Sequence, residues 1–233
     1  GGELGLNLLY VVFAVLLLVF NLWSFYNLPA VFVGVRHLLR ARKKGESSGL
    51  SAGDRGDLPF VSVVVPVKNE EKVIGRLLRS LLSLDYPSDR FEVIVVNDES
   101  SDGTGRICDS FAERCGFLRV FNRGRSSTKA AALNFGVARA RGESVATFDA
   151  DSLPEADCVL RAVAYFDDPA VAAVQGRICS INADENMLTR FLSYEGAVQY
   201  EVYLRGKDRL NLFVELAGTC QFIRRGVLEE VGG

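Results

Sequence analysis

The chain has 233 residues, of which 48% are hydrophobic and 24% charged, and its formal net charge at pH 7 is -2. This length predicts one domain with an appendage, and the near-neutral charge gives no reason to expect nucleic acid as a partner. Five cysteines without a CxxC pair or metal-ligand spacing favour a reducing compartment over a disulfide framework. The single histidine, His37, lies beside an apolar N-terminal stretch, which argues against histidine acid–base chemistry in the rest of the chain.

The first predicted element is a transmembrane helix with a basic flank, over residues 1–44. No charged residue occurs from Leu4 to Val35, and about 20 apolar residues suffice to span a bilayer as a helix. Basic residues follow between Arg36 and Lys44, so the positive-inside rule places that flank and the rest of the chain in the cytoplasm, at the cell membrane. A buried core helix is the alternative. Pro29 could kink or end the helix, and a second, interfacial helix over 29–39 stays open.

The next stretch, residues 45–59, is rich in Gly, Ser and charged residues and is predicted to be a linker. From residue 60 onward, short β-branched runs alternate with helical patterns. The predicted strands are 61–65, 91–96, 117–121, 144–148, 171–174 and 219–224. The predicted helices are 71–84, 104–115, 129–140, 154–166, 186–205 and 226–231. This alternation predicts an α/β domain over 60–233 with a mostly parallel sheet covered on both faces.

Polar residues follow the first four predicted strands. They are Lys68-Asn69-Glu70-Glu71, Asn97 to Gly103, Asn122 to Arg125, and Asp149-Ala150-Asp151. Any one of these groups could be a solvated turn or a helix cap. Because ligands of such sheets bind beyond the carboxyl ends of the strands, the four groups together predict a functional site.

The pair Asp149 and Asp151 is the most specific of these features. If the fourth strand continues through the pair, its period of two puts both carboxylates on the same side. Carboxylates suit hard divalent cations, and Mg²⁺ commonly shares its site with substrate phosphates. The chain has neither GxGxxG nor GxxxxGK[ST] after its first strand, so dinucleotide binding and P-loop phosphate binding lose their usual support.

Six stretches together resemble the successive motifs of family 2 glycosyltransferases. They are VSVVVPVKNE (61–70), VIVVNDESSDG (93–103), STKAAALN (127–134), FDAD (148–151), VQGR (174–177) and AGTCQFIRRGVLEEVGG (217–233). With the apolar N-terminal stretch, the chain is similar to the membrane branch that includes cellulose, chitin, hyaluronan and poly-N-acetylglucosamine synthases. The resemblance implies a glycosyltransferase A fold, which is a Rossmann-like α/β domain.

The resemblance also implies roles for individual residues. The residues implied to bind a nucleotide-sugar, with UDP as the expected nucleotide, are Pro66, Val67, Glu70, Asp98, Lys129 and Asp149. Asp151 and Asp149 are the implied catalytic pair and ligands of Mg²⁺ or Mn²⁺, with Asp151 the better direct ligand. Gly218 and Thr219 are implied to lie beside the acceptor. Gln175, Gly176 and Arg177 match a segment under the site, where a structural role is equally expected. Val67-Lys68 replaces a common Thr-Tyr pair, which leaves base contacts there open.

The implied reaction is inverting transfer, in which a metal offsets charge on the departing nucleoside diphosphate and a carboxylate accepts the acceptor's proton. In the family that carboxylate belongs to a Thr-Glu-Asp motif beyond the position of Gly233. We therefore expect a longer protein, with further membrane helices after residue 233. Within the chain, Glu195 and Glu215 are alternatives without motif support.

Three functions follow as hypotheses. The first is extension of a polysaccharide from a nucleotide-sugar, and the second is transfer of one sugar to a polyprenyl phosphate or another lipid. The third is a noncatalytic membrane module that binds a nucleotide-sugar. A carbohydrate or lipid-linked acceptor and a membrane are thus the expected partners.

Overall fold

The computed structural model describes residues 2–44, 58–124 and 128–232. The chain divides into two compact units, one of Gly1–Ser48 with Ile178–Glu215 and one of Gly49–Arg177 with Leu216–Gly233. Almost all of the predicted linker, 45–59, lies outside the described residues, as do Arg125 of the polar group after the third predicted strand and Ser127 of the motif over 127–134. The boundaries drawn from sequence at 44 and 59 stay predictions.

The first unit contains a single long N-terminal helix, α1 (Gly2–Lys44), which has Pro29 in its interior. Within the described residues it is the one helix long and apolar enough to cross a membrane, over Gly5–Ala41, and its most apolar stretch has a mean hydropathy of 2.4. None of that stretch is buried. The helix neither ends at Pro29 nor gives way to a separate helix over 29–39, so the open question from sequence is answered by one continuous element.

A second helical run in the same unit packs against the C-terminal half of α1. It consists of α6 (Met187–Val198), a π-helix (Gln199–Leu204) and α7 (Arg205–Arg209), and these elements replace the single helix predicted over 186–205. Gly34 and Gly206 allow the close approach, because a Cβ on either would overlap the backbone of the opposite helix. The Tyr203 hydroxyl donates to the side chain of Asn27, which is itself buried.

The second unit is built on a sheet that comprises six strands among the described residues, in the order β3-β2-β1-β4-β6-β5. The strands are β1 (Val61–Val67), β2 (Phe91–Asp98), β3 (Leu118–Arg123), β4 (Ser144–Thr147), β5 (Ala173–Gln175) and β6 (Gln221–Arg224). The pairs β1·β2, β2·β3 and β1·β4 are parallel, whereas β6 pairs antiparallel with β4 and β5. The prediction of a mostly parallel α/β sheet is confirmed.

Helices cover this sheet and create two apolar clusters. They are α2 (Ile74–Leu82), α3 (Thr104–Ala112), α4 (Lys129–Val137), α5 (Cys158–Val163) with a 3₁₀ turn (Ala164–Asp167), and α8 (Arg225–Val231). The larger cluster contains Val63 and Val95 with the buried face of α2, and the smaller contains Val64 and Ile94 with Ala132 of α4. Because successive side chains of a strand point to opposite faces, the Val-rich runs supply both cores.

Three boundaries differ from the predictions in ways that affect the site. Strand β1 continues through Val67 rather than ending at residue 65, whereas β4 ends at Thr147. Helix α2 starts at Ile74 rather than 71, because residues 71–73 form a turn whose first N–H, that of Glu71, donates to Asp102.

A buried carboxylate lies near the start of β2, away from the carboxyl ends of the parallel strands. Glu92 is 1% exposed and accepts hydrogen bonds from Ser62 Oγ at 2.7 Å and from the Arg141 main chain at 2.8 Å. Its second oxygen pairs with Arg119 at 2.7 Å and Arg141 at 2.9 Å. Burial by itself raises the pKa of Glu92, but hydrogen bonds from Ser62 and Arg141 outweigh it and hold the pKa below its ordinary value of 4.5.

Candidate functional site

The candidate site is built from the loops that follow the parallel strands. In the sheet, Val67 of β1 pairs with Asn97 of β2, and Val64 pairs with Thr147 of β4. The parallel register therefore brings the loops after β1, β2 and β4 to one edge. This is the edge at which sheets of this kind bind ligands.

The loops after β1 and β2 are joined by side-chain hydrogen bonds centred on Asn69. Its N–H donates to Ser100 Oγ at 3.0 Å, and its side-chain oxygen accepts from the Ser101 N–H at 2.8 Å. Asn69 has φ of 57°, and Glu99 in the partner loop has φ of 61°. Such left-handed conformations are costly for residues other than glycine, and they persist where the surroundings fix them. The loop after β1, residues 68–73, and the loop after β2, residues 99–103, thus form one preorganised wall of the site.

A second set of bonds connects the same loops around Asp102. Its carboxylate accepts from the Thr104 hydroxyl at 2.5 Å and from the Glu71 N–H at 3.2 Å, and the Glu70 N–H donates to Thr104 Oγ1 at 2.8 Å. The hydrogen bond from the Thr104 hydroxyl is the main cause that lowers the pKa of Asp102. Sequence analysis placed Asp102 among the polar residues after the second strand but gave neither Asp102 nor Thr104 a role. An acidic residue just before a helix was the available signal.

The predicted nucleotide-binding residues at the end of β1 and in the loop after it occupy different environments. The side chain of Val67 is 2% exposed and belongs to the apolar core, so a ligand could meet this residue only through its main chain. Pro66 and Glu70 are half-buried. Glu70 belongs to the loop after β1, and its N–H donates to Thr104 Oγ1.

Asp98, another of the predicted nucleotide-binding residues, lies at the end of β2 and is buried. It forms an ion pair with Arg123 at 3.1 Å, and Arg123 is its direct register partner on β3. The Arg123 guanidinium also stacks 5.4 Å from the centre of the Phe135 ring on α4. Three elements thus fix the position of this carboxylate, and Arg123 is a contributor that sequence analysis did not single out.

The aspartate pair does not lie on a strand, contrary to the expectation that β4 continues through it. The chain leaves the sheet after Thr147, the Asp149 N–H donates to Thr219 Oγ1 at 3.0 Å, and the Ser152 N–H closes a turn onto Asp149 O at 3.0 Å. The period-two argument for a shared side therefore does not apply. Both aspartates nevertheless reach solvent, because the Asp149 side chain is 34% exposed and Asp151 is exposed.

Lys129 and Asp149 are brought together although 20 residues separate them. The Lys129 Nζ lies 2.5 Å from Asp149 Oδ1, and the lysine is the first residue of α4, whose N-terminus is capped by the Thr128 side chain. Helix N-termini favour negative charge, so the ammonium and the end of α4 both favour an anionic group here.

The main chain around Thr219, a predicted acceptor-side residue, is held by the side chain of Gln175. The Gln175 Nε2 donates to Thr219 O at 3.1 Å and to Cys220 O at 3.3 Å, and its Oε1 accepts from the Ala217 N–H at 2.7 Å. Gly218 has φ of 81°, a conformation that glycine adopts without steric cost. Gln175 thus has the structural role considered for it, because it shapes the strand entry that presents Thr219.

Replacing Thr219 by valine tests this support for the aspartate turn. Valine keeps the size of threonine but removes the oxygen that accepts from the Asp149 N–H, so we expect affinity for UDP with Mn²⁺ to fall about threefold to tenfold. Titration calorimetry would measure it. Thr219→Ser keeps the hydroxyl oxygen and is expected to bind UDP nearly as tightly as the wild type does. If Thr219→Val and Thr219→Ser bound UDP equally tightly, the hydrogen bond from the Asp149 N–H would not support the site.

The aspartates fit a divalent cation only as a shared site. Among the described residues, no group of three or more His, Cys, Asp and Glu side chains is placed to hold a metal ion. Two exposed carboxylates two residues apart do fit Mg²⁺ or Mn²⁺ in the form in which one or two carboxylates act with substrate phosphates. These two carboxylate ligands therefore suit a metal ion that binds together with a diphosphate.

Glu215, one of the alternative bases, is poorly suited to accept a proton. Its carboxylate accepts from Lys207 Nζ at 2.9 Å, and this hydrogen bond is the main cause that lowers the pKa of Glu215. A carboxylate with a lowered pKa is a weaker base. Glu195 is exposed on α6, in the same unit as Glu215.

Comparisons with known proteins match most of the chain. The family model described as glycosyl transferase family 2 matches residues 62–232. A probable glycosyltransferase, YdaM of Bacillus subtilis, is 38% identical over 76% of this chain and 43% of its own length. A β-monoglucosyldiacylglycerol synthase of Trichormus variabilis is 38% identical over 77% of this chain and 38% of its own length. The chain therefore spans less than half the length of these curated relatives.

A solved structure resembles the chain over a larger part of its length. The mannosyltransferase PcManGT of Pyrobaculum calidifontis, in complex with GDP-Man and Mn²⁺, superposes with a TM-score of 0.63. It is 29% identical, and the match covers 90% of this chain and 57% of that one. The glycosyltransferase A fold expected from sequence is thereby confirmed.

Proposed function

The chain belongs to glycosyl transferase family 2, and on that premise we propose that it is the donor-binding part of a membrane-bound, metal-dependent glycosyltransferase. The enzyme takes a sugar from a nucleotide-sugar, with UDP as the expected nucleotide, and transfers it with inversion. A lipid is the acceptor.

The observation that carries the proposal is the convergence of charge at one edge of the sheet. Asp149 and Asp151 offer one partly exposed and one exposed carboxylate, Lys129 Nζ lies 2.5 Å from Asp149 Oδ1, and Thr219 Oγ1 accepts from the Asp149 N–H at 3.0 Å. Carboxylates suit a cation and an ammonium suits a phosphate, so this arrangement fits a metal–diphosphate pair. A set of helix-capping acids would have no need of Lys129 on a separate element.

The wall formed by the loops after β1 and β2 is the proposed place of the nucleoside. Asp98, fixed by Arg123, can accept a hydrogen bond from a base, and Glu70 stands where the ribose is expected. Because the two loops are bonded to each other through Asn69 and Asp102, little ordering entropy remains to be lost when a nucleoside binds.

The chemistry divides between donor and acceptor sides. When bound, the divalent cation supplies charge that stabilises the departing nucleoside diphosphate. Asp149 and Asp151 would hold it, Lys129 would offer a further positive charge to the diphosphate, and Thr219 keeps the aspartate turn in position. Neither Glu195 nor Glu215 is proposed as the base that accepts the acceptor's proton.

A lipid acceptor is proposed because a relative 38% identical over 77% of this chain is named as a β-monoglucosyldiacylglycerol synthase. A diacylglycerol resides in a bilayer, which agrees with the unburied apolar stretch of α1. A growing polysaccharide is the second candidate, because the motifs taken together with the apolar N-terminal stretch also resemble the polysaccharide-synthase branch of the family.

Membrane attachment is proposed to involve α1, with the basic residues that follow Val35 on the cytoplasmic side. Helix α6 belongs to the same unit and also exposes large apolar side chains. These are Met187, Leu188, Phe191, Leu192, Tyr194 and Val198. In water such a surface is unfavourable, so a lipid environment for this unit agrees with its composition.

A transfer assay tests the proposal and separates the two acceptors. Membranes that contain the protein are incubated with Mn²⁺ and radiolabelled UDP-glucose or GDP-mannose, with diacylglycerol added, and the products are extracted with chloroform and methanol. We expect label in the organic phase. Label in an alcohol-insoluble polymer would instead select the polysaccharide, whereas no transfer together with no nucleotide binding would contradict the proposal.

A further inference from the structure

The ion pair between Lys129 and Asp149 occupies the carboxylate that a metal would need. Lys129 Nζ lies 2.5 Å from Asp149 Oδ1, and both side chains are partly exposed, at 53% and 34%. A cation that approached Asp149 in this arrangement would meet an ammonium already bound to the same oxygen. Because like charges repel, the pair lowers the affinity of the site for a free metal ion.

The fixed main chain of Lys129 also limits the positions that its ammonium group can reach. Its main chain is fixed at the start of α4, where Thr128 Oγ1 accepts from the Ala131 N–H at 3.2 Å. The flexible four-carbon stem lets the ammonium move while the backbone stays in place. A phosphate at the end of this helix would offer the ammonium another anionic partner within its reach.

We propose that Lys129 is an exchangeable counter-ion, which pairs with Asp149 in the protein without ligands and moves to the diphosphate when donor and metal bind. The proposal rests on the proposed function and adds a consequence to it. Metal ion and nucleoside diphosphate bind cooperatively, because the diphosphate draws Lys129 away from Asp149 and the metal replaces it there. By linkage, each ligand raises the affinity for the other by the same factor.

Replacing Lys129 by methionine, which is similar in length and uncharged, separates the effect of Lys129 on metal binding from its effect on diphosphate binding. For the purified chain in detergent, the affinity for Mn²⁺ alone is measured from the electron paramagnetic resonance signal of free Mn²⁺. We expect Lys129→Met to bind Mn²⁺ alone about twofold to fivefold more tightly than the wild type, as the loss of a partly exposed ion pair implies. UDP affinity at saturating Mn²⁺ is expected to fall. The factor by which UDP raises Mn²⁺ affinity is expected to be smaller than in the wild type but to stay above one, because the metal and the diphosphate still attract each other.

Two variants are matched controls. Lys129→Arg keeps the positive charge and is expected to keep the weak affinity for Mn²⁺ alone. Lys72→Met removes the same charge from an exposed lysine of the same unit and is expected to leave both affinities unchanged. Circular dichroism of each variant verifies that the fold is retained.

The outcomes distinguish this inference from the proposed function. If Lys129→Met binds Mn²⁺ alone no more tightly than the wild type, or if UDP leaves the Mn²⁺ affinity of the wild type unchanged, the exchange is wrong while donor binding stands. If the wild type binds no UDP at saturating Mn²⁺, the proposed function fails as well.

Discussion

Replacing Asp151 by asparagine is expected to abolish metal-dependent binding of UDP and to lower sugar transfer by at least about a hundredfold. Asparagine keeps the size of the side chain but removes half of the negative charge that the pair Asp149 and Asp151 offers to a cation. Because no third acidic, histidine or cysteine ligand is grouped with them among the described residues, nothing in that part of the chain compensates. Calorimetric titration with UDP, with and without Mn²⁺, measures the effect.

The matched control for this change is Asp157→Asn. Asp157 is likewise an exposed carboxylate of the same unit, but it pairs with Arg161 at 2.6 Å. Its replacement is expected to leave UDP affinity and transfer within about a factor of two, as for exposed pairs in general. If Asp151→Asn bound UDP with Mn²⁺ as tightly as the wild type, the assignment of the aspartate pair as metal ligands would be wrong.

Replacing Glu92 by alanine is expected to lower the free energy of unfolding by about 2–4 kcal/mol. The change leaves Ser62 Oγ and the Arg141 N–H without the carboxylate that now accepts from both, in a site that is 1% exposed. The guanidinium groups of Arg119 and Arg141 reach solvent, which keeps the loss near the lower end of the range for buried pairs. Urea denaturation followed by circular dichroism gives the value.

The same carboxylate predicts a dependence of stability on pH. Since the pKa of Glu92 is lowered in the folded chain, its contribution is complete above the ordinary value of 4.5 and is lost as the pH falls through the folded pKa. The difference in stability between the wild type and Glu92→Ala is therefore expected to narrow as the solution is acidified below that value.

An exposed ion pair is the comparison for Glu92. Glu155 pairs with Arg161 at the surface, and Glu155→Ala is expected to change the free energy of unfolding by no more than about 0.5 kcal/mol. A loss for Glu92→Ala as small as that for Glu155→Ala would show that the buried cluster contributes little net stability.

Much of the fold could be predicted from the sequence, because its strands are continuous apolar runs. Val61–Val67 and Phe91–Asp98 lie in the centre of the sheet, and buried parallel strands require β-branched residues on both faces. The ends of elements were less predictable. Helix α2 begins at Ile74 because Asp102, which is distant in sequence, accepts from the N–H of Glu71.

For the candidate site, the residues could be proposed from sequence but their contacts could not. Asp149 and Asp151 could be proposed from sequence, since carboxylates suit a divalent cation, whereas Lys129 and Thr219 were proposed through the resemblance to family 2 glycosyltransferases. The aspartates lie in a turn rather than a strand because Thr219, 70 residues later, accepts from the Asp149 N–H. No local pattern encodes that bond.

The sequence by itself determined the family, the α/β class and the chemical types at the edge of the sheet, because these depend on local periodicity and residue identity. Only the tertiary structure decided that Lys129 pairs with Asp149, that Asn69 and Asp102 join two loops, and that Ile178–Glu215 groups with the N-terminal helix. Those contacts join residues far apart in the chain. They form only when the burial of apolar surface has brought the elements together, so no single stretch of sequence contains them.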